Sequence, residues 1–313
     1  LEAVYEEKNI SMDDGFGLLF EELLSNVYKE HPYGQQTILG SVEHLKNPSL
    51  QKMYEFYNTY YVANNMALIL SGDFNIEEIK PMIEAKFGTW RSGIVPEFPK
   101  YTEAPFVKGE KMEAKATPIK VGAMTFRSPP NGDPDKLKYD IALKLLSNQE
   151  ATGMLDKLMD EGEIMGSGIE QMAYNDYGAS IVFFVPKLVG QSLETAEEIV
   201  KNRMQKLLDG DFSEDDFNTI KLNNQKEIEL KWESNYSRVY EMVDAFTQQK
   251  TWDEHYNNLS KFEGVTKQDV VDVANKYLGK DYFALYSRMG FPKKEKLQKP
   301  GFEPVIPKSE AKS

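Results

Sequence analysis

The sequence predicts an α+β fold made of two related units, each a mostly antiparallel sheet packed with helices. Three observations point there. First, a helix-then-strand segment occurs twice, at residues 49–70 and 266–287. An offset of 217 residues places Gln51 on Gln268, Asn58 on Asn275, Tyr60 on Tyr277, Ala67 on Ala284 and Leu68 on Leu285. A spacing of that size is a domain, not a short solenoid repeat. Second, the apolar runs VGAMTF and SIVFFV have strand length. Third, strands expected at 168–173 and 179–185 share a turn at Asp176, Tyr177 and Gly178, the mark of antiparallel pairing. Helices and strands come in blocks instead of strict alternation, which favours α+β over a parallel sheet.

Taken in order, residues 1–9 read as the end of a helix. Ser11, with Asp14 three residues on, reads as the cap of a second helical run, whose apolar face is Phe16, Leu19, Phe20, Leu23, Leu24 and Val27. Pro32 and Gly34 break that run into a loop. Asn47 and Pro48 open the next helix, with Pro at the tolerated first position. Residues 66–70 form a continuous apolar strand. Asn75 caps a helix that runs to Phe87, with Glu78 at its third position. The second unit opens on the strand IKVGAMTF, stopped by Pro129, Pro130, Asn131 and Gly132. Helices follow at 134–146 and 153–160, then the two turn-linked strands. From 191 to 277 the pattern is helical, with starts marked by Ser213 with Asp216 and by Thr266 with Asp269. Gly279 stops the last helix and residues 282–287 form the final strand.

These elements divide the chain into a first unit at 1–92, a connection rich in polar residues and Pro at 93–117, a second unit at 118–290 and a Pro- and Lys-rich tail at 291–313. The second copy opens near Thr117. The same offset carried back from there puts the start of the first copy about a hundred residues ahead of Leu1. The first unit is therefore expected to lack its front part, and to expose apolar surface that a partner or a second copy would cover.

Composition narrows the function. With 41% hydrophobic and 28% charged residues, the 313-residue chain is globular and long enough for two cores. No apolar run reaches membrane-span length. The chain has no Cys, which excludes disulfides and thiolate chemistry. A net charge of −13 without a basic stripe argues against nucleic acid as a partner.

No G-x-S-x-G, P-loop, G-x-G-x-x-G or H-E-x-x-H motif occurs. The three histidines, His31, His44 and His255, do not cluster in sequence and are expected at the surface. The acidic pair Glu6–Glu7 in AVYEEKN admits two readings. Glu7 shares the side of its helix that Ala3 and Val4 would bury, and a carboxylate there needs a metal or a base as partner. Alternatively, the pair is a solvated helix end.

Three segments carry a family resemblance: VYEEKN at 4–9, HPYGQQTILGSVEHLKN at 31–47, and FYNTYYVANNMALILSGDFNIEEI at 56–79. Through them, residues 1–290 resemble the pitrilysin, or insulinase-like, zinc metallopeptidases, a family that includes the mitochondrial processing peptidases and related bacterial proteins. The resemblance implies two homologous α+β units. It also implies a catalytic zinc held by two His of an inverted H-x-x-E-H motif and by a Glu further along the chain. On this match Glu7 is that third ligand, and the paired His and the base fall ahead of Leu1. In the second unit the position matching Glu7 is Asn224, and the place of the motif falls at 143–150. No His lies between His44 and His255, so the second unit is expected to be non-catalytic, one wall of a chamber for a peptide substrate. This chain then holds no catalytic residue, binds no zinc alone and is inactive by itself. The alternatives are a non-catalytic scaffold of the same family and a peptide-binding module that uses an exposed strand edge.

Overall fold

A computed structural model describes residues 2–41, 44, 45, 48–255 and 261–290. The expected tail at 291–313 and Asn47, read as part of a helix start, lie outside the described residues. The centre is one five-stranded sheet in the order β1-β5-β2-β4-β3, made of β1 (Lys111–Thr117), β2 (Val121–Ser128), β3 (Gly166–Ala173), β4 (Gly178–Val185) and β5 (Phe283–Met289). The pairs β5–β2, β2–β4 and β4–β3 are antiparallel, while β1 runs parallel to β5. Residues 111–117, expected as the end of a connection, thus form an edge strand. Their alternation KMEAKAT exposes one face, so the segment lacks the apolar run that marks an inner strand.

Strand alternation separates two cores. Met124, Phe126, Val182, Phe184, Ala284 and Tyr286 point to one side of the sheet, where helices α6 (Lys136–Leu146), α8 (Leu193–Leu208) and α11 (Lys267–Tyr277) cover them. Ala123, Ile181, Phe283 and Leu285 point to the other side and meet Leu19, Leu23 and Val27 of α2 (Gly15–Val27), with Phe106. Helix α1 (Glu2–Asp13) packs on α2. It runs through Ser11, whose hydroxyl bonds back to the Lys8 carbonyl at 2.8 Å. The cap of α2 is instead Asp14, which accepts from the Phe16 N–H at 3.0 Å. Pro32–Gln35 makes the single turn α3, capped by His31.

Helices α4 (Leu50–Tyr60) and α5 (Ile76–Phe87) are capped by Ser49 and Asn75 and bury no side chain. The repeat holds at the level of structure: α4 shifted by 217 residues covers the same span as α11, and Ser49 falls on the α11 cap, Thr266. Burial differs sharply between the copies. Val270, Val273 and Ala274 are 0–3% exposed, whereas their counterparts Met53, Phe56 and Tyr57 are 55–59% exposed. Residues 66–70, expected as a strand, pair with no strand among the described residues. An apolar run becomes a strand only where a neighbour takes its backbone hydrogen bonds, as β1 and β2 do for β5.

The remaining helices are α7 (Asp156–Asp160), α9 (Glu214–Glu233) and α10 (Asn235–Thr247). Among the described residues no helix is long and apolar enough to cross a membrane.

Candidate functional site

Helix α1 turns Tyr5 and Lys8 inward, and the Lys8 ammonium lies 3.8 Å from Glu21 of α2. Glu7 is exposed, as are Ala3 and Val4. The side that Glu7 shares with them is therefore open, and the packed face is the Tyr5–Lys8 side. A catalytic zinc needs three protein ligands and an open position. Among the described residues no three His, Cys, Asp or Glu side chains converge, and Glu7 is a single carboxylate. The described residues by themselves do not make a zinc site.

The two places that the offset marks in the second unit do come together. Helix α6 packs on α9. From the last turn of α6, Lys144 donates to Asn224 Oδ1 and, at 2.7 Å, to Glu227 Oε2. Asn224 and Glu227 lie three apart on α9 and so share a face. The position that the 217-residue offset pairs with Glu7 thus carries an amide that is bound to an ammonium. Lys144 went unremarked in the sequence, although it sits in the stretch the offset picks out. The partners line a cavity of about 380 Å³ with Leu137, Leu143, Ile169 and Phe262.

Two of the three histidines are buried, contrary to the surface expectation, because each meets a distant carboxylate. His31 is fully buried with its Nε2 3.2 Å from Asp176 Oδ2. Its Nδ1 accepts from the Tyr33 N–H at 3.2 Å, so the proton sits on Nε2 and is donated to Asp176. His255 Nε2 lies 3.0 Å from Glu241. Burial works to raise the Glu241 carboxyl, but the His255 hydrogen bond and the Lys231 ammonium outweigh it and hold the group below the usual carboxylate range. His44 is exposed.

Around His31 a polar knot ties the front helices to the sheet. The Glu103 carboxylate accepts the backbone N–H groups of Lys29, Glu30 and His31 at 3.1, 2.9 and 2.7 Å. It also lies 3.5 Å from Arg127. Arg127 stacks over Phe106, Tyr28 and Tyr177. Burial lowers the guanidinium's proton affinity, and Glu103 opposes that shift. Burial also pushes the Tyr28 phenol up. These contacts join the segment after α2 to β2 and to the turn between β3 and β4.

The pattern of the family described as the peptidase M16 inactive domain matches residues 48–224, more than half of the chain. A curated relative, the zinc protease PqqE of Helicobacter pylori, is 22% identical over 290 residues, and the match covers 88% of this chain. The chain spans 63% of that relative's length. Among solved structures, a protease from Helicobacter pylori superposes with a TM-score of 0.80 at 19% identity, covering 92% of this chain and 70% of the other. A peptidase M16 inactive domain from Pseudomonas fluorescens superposes at 0.75 with 16% identity, covering 94% and 71%. At these identities the superpositions establish a shared fold.

Proposed function

The chain belongs to the family of the peptidase M16 inactive domain, and from that premise we propose that it is the larger part of a zinc-dependent metalloendopeptidase that cleaves peptides. In this reading residues 1–92 belong to a first, metal-bearing unit, to which Glu7 contributes one zinc ligand from an open helix face. Residues 118–290, with β1 added at the sheet edge, are the second, non-catalytic unit and wall the substrate chamber. The chain alone is inactive.

One observation carries the reading. In the second unit the residue that the offset pairs with Glu7 is Asn224, and it is bound to the Lys144 ammonium, so this position carries an amide beside a cation of the chain's own and no metal-binding carboxylate. The metal function then rests with the first unit alone. Two further features support it. Curated relatives are named zinc proteases. Met53, Phe56 and Tyr57 repeat the pattern of a helix that is fully covered in the second copy. In the longer parent the first unit's missing part would cover them.

Cleavage of a quenched peptide tests the proposal. The chain alone should show none. A longer protein that carries this chain together with the proposed front part of the first unit should cleave, and Glu7→Gln in it should abolish cleavage. An active isolated chain, or a fully active Glu7→Gln parent, would overturn the assignment. A parent that binds peptides without cleaving them would instead establish the scaffold reading.

A further inference from the structure

Helices α2 and α10 are built alike but are covered differently. Both are 13 residues long, and their caps, Asp14 and Ser234, lie 220 residues apart, close to the repeat offset. At that spacing Glu21 falls on Glu241. Each carboxylate ties its helix to a lysine of the helix before it: Glu21 to Lys8 of α1 at 3.8 Å, and Glu241 to Lys231 of α9 at 3.1 Å. The two helices are thus held by the same side. Residues two positions away from these carboxylates lie about 160° round the helix, on the opposite side. On α2 that side carries Leu19 and Leu23, which are buried against the sheet of the second unit. On α10 it carries Val239 and Val243, which are only half-buried. Tyr236 and Tyr240 flank them at 70% and 52% exposure. Together these four make an apolar stripe at helical spacing, and it lies open.

What stands beside the stripe indicates its occupant. Helix α2 comes from the first unit and packs on the sheet of the second. The reciprocal arrangement puts α10, from the second unit, on the sheet of the first. Two observations agree with it. Ser71 Oγ donates to Asn235 Oδ1 at 3.1 Å, so α10 begins where the apolar run 66–70 ends. Within that run, the 217-residue offset pairs Met66 with Phe283 and Leu68 with Leu285, the β5 residues on the α2 side of the sheet. Phe283 and Leu285 are each 2% exposed, whereas Met66 and Leu68 are 39% and 53% exposed. A bare helix face and a bare strand face therefore adjoin at one hydrogen bond, and in the second unit the corresponding pair is buried together.

We propose that the stripe of Tyr236, Val239, Tyr240 and Val243 on α10 is the docking surface for the first unit's own sheet, on the face that carries Met66 and Leu68. Each unit then lends one helix to the sheet of the other. The partner is an apolar sheet face, completed by strands that correspond to β1 and β2. The proposal rests on the reading that a front part of the first unit supplies those strands.

Hydroxyl-radical labelling read by mass spectrometry tests it, applied to this chain and to the proposed longer protein. In this chain Tyr236, Tyr240 and, on α4, Tyr57 should all be labelled. In the longer protein Tyr57 reports whether the front part covers the first unit, and Tyr236 and Tyr240 report the docking. Labelling of all three should fall at least about fivefold as the rings reach core burial. Tyr240→Ala should lower the melting temperature of the longer protein by several degrees and leave that of this chain nearly unchanged, because here the ring is already half in water. Protection of Tyr57 with Tyr236 and Tyr240 still labelled would overturn the docking and leave the front part standing. Labelling of all three would overturn both. Protection of Tyr236 and Tyr240 in this chain that is lost on dilution would assign the stripe to a second copy and overturn the proposal, as would equal effects of Tyr240→Ala in the two proteins.

Discussion

Replacing Glu103 by Ala should cause the largest single loss of stability outside the apolar cores. The side chain of Glu103 is 1% exposed and that of its partner Arg127 is 23% exposed. Four contacts vanish together: the N–H groups of Lys29, Glu30 and His31 and the Arg127 guanidinium. The first two N–H groups lie near solvent and can turn to water, so their loss is small. The His31 N–H sits beside a fully buried ring, and a hydrogen bond to a charged acceptor contributes roughly 1.5–3 kcal/mol. Arg127 is left with a largely buried charge supported only by the Ala104 carbonyl, the flanking rings and the influence of Glu110, and breaking such a pair costs about 3–5 kcal/mol when burial is complete. Discounting for the partial exposure of Arg127, the total is about 3–5 kcal/mol. Glu103→Gln keeps one acceptor oxygen and loses the charge, so about half of that loss is expected. Urea unfolding followed by far-ultraviolet circular dichroism measures both, with the slope unchanged if the transition remains two-state. A loss below about 1 kcal/mol for Glu103→Ala would show that the knot holds nothing and would refute the reasoning.

Other outcomes follow from the same structure. A Cβ on Gly122 would overlap the ring of Phe184, which is fully buried in the opposite strand, so Gly122→Ala should destabilise by about 2 kcal/mol in thermal unfolding. Asp269 closes the capping box of α11, and bonds from Thr266 with the Lys138 ammonium hold its pKa down at about 2. A depressed carboxyl adds stability above its unfolded value, near 4, and that stability is lost as pH falls toward 2. Melting temperatures of the wild type and Asp269→Asn should therefore differ at pH 7 by the equivalent of about 1 kcal/mol and converge near pH 2. A constant difference across that window would contradict the assignment. Glu7→Gln in this chain should alter stability by less than about 0.5 kcal/mol, because an exposed side chain is exchanged. A larger loss would reveal a structural role for Glu7.

What could be read from sequence was what local chemistry decides. Thr266 with Asp269, Ser213 with Asp216, and Asn75 each cap the helix expected of them, because a cap needs only residues two or three positions away. The strands around 121–128 and 178–185 were legible from their apolar runs, and the 217-residue offset foretold that α4 and α11 would coincide. Long-range pairing was not legible. β1 is a strand because β5 lies beside it, some 170 residues away in the chain, while 66–70 has the composition of a strand and no neighbour. His31 finds Asp176 across 145 residues, and no local signal distinguishes it from a surface histidine. Ser11 misled because its hydroxyl has an alternative acceptor, the Lys8 carbonyl, inside a helix that continues past it. In the candidate site the offset brought Asn224 and the 143–150 stretch into view. The ammonium that joins them comes from Lys144, which is 80 residues from Asn224 and has no local signal.

In the proposed function a metal belongs to the first unit alone, and in the second unit the Lys144 ammonium is bound to Asn224, the residue that the offset pairs with Glu7. Zinc stoichiometry of the proposed longer protein, measured by plasma mass spectrometry beside Glu7→Gln and Lys144→Met variants, is the test. One zinc per chain is expected, lost in Glu7→Gln and retained in Lys144→Met. Zinc that survives Glu7→Gln, or occupancy that depends on Lys144, would contradict it.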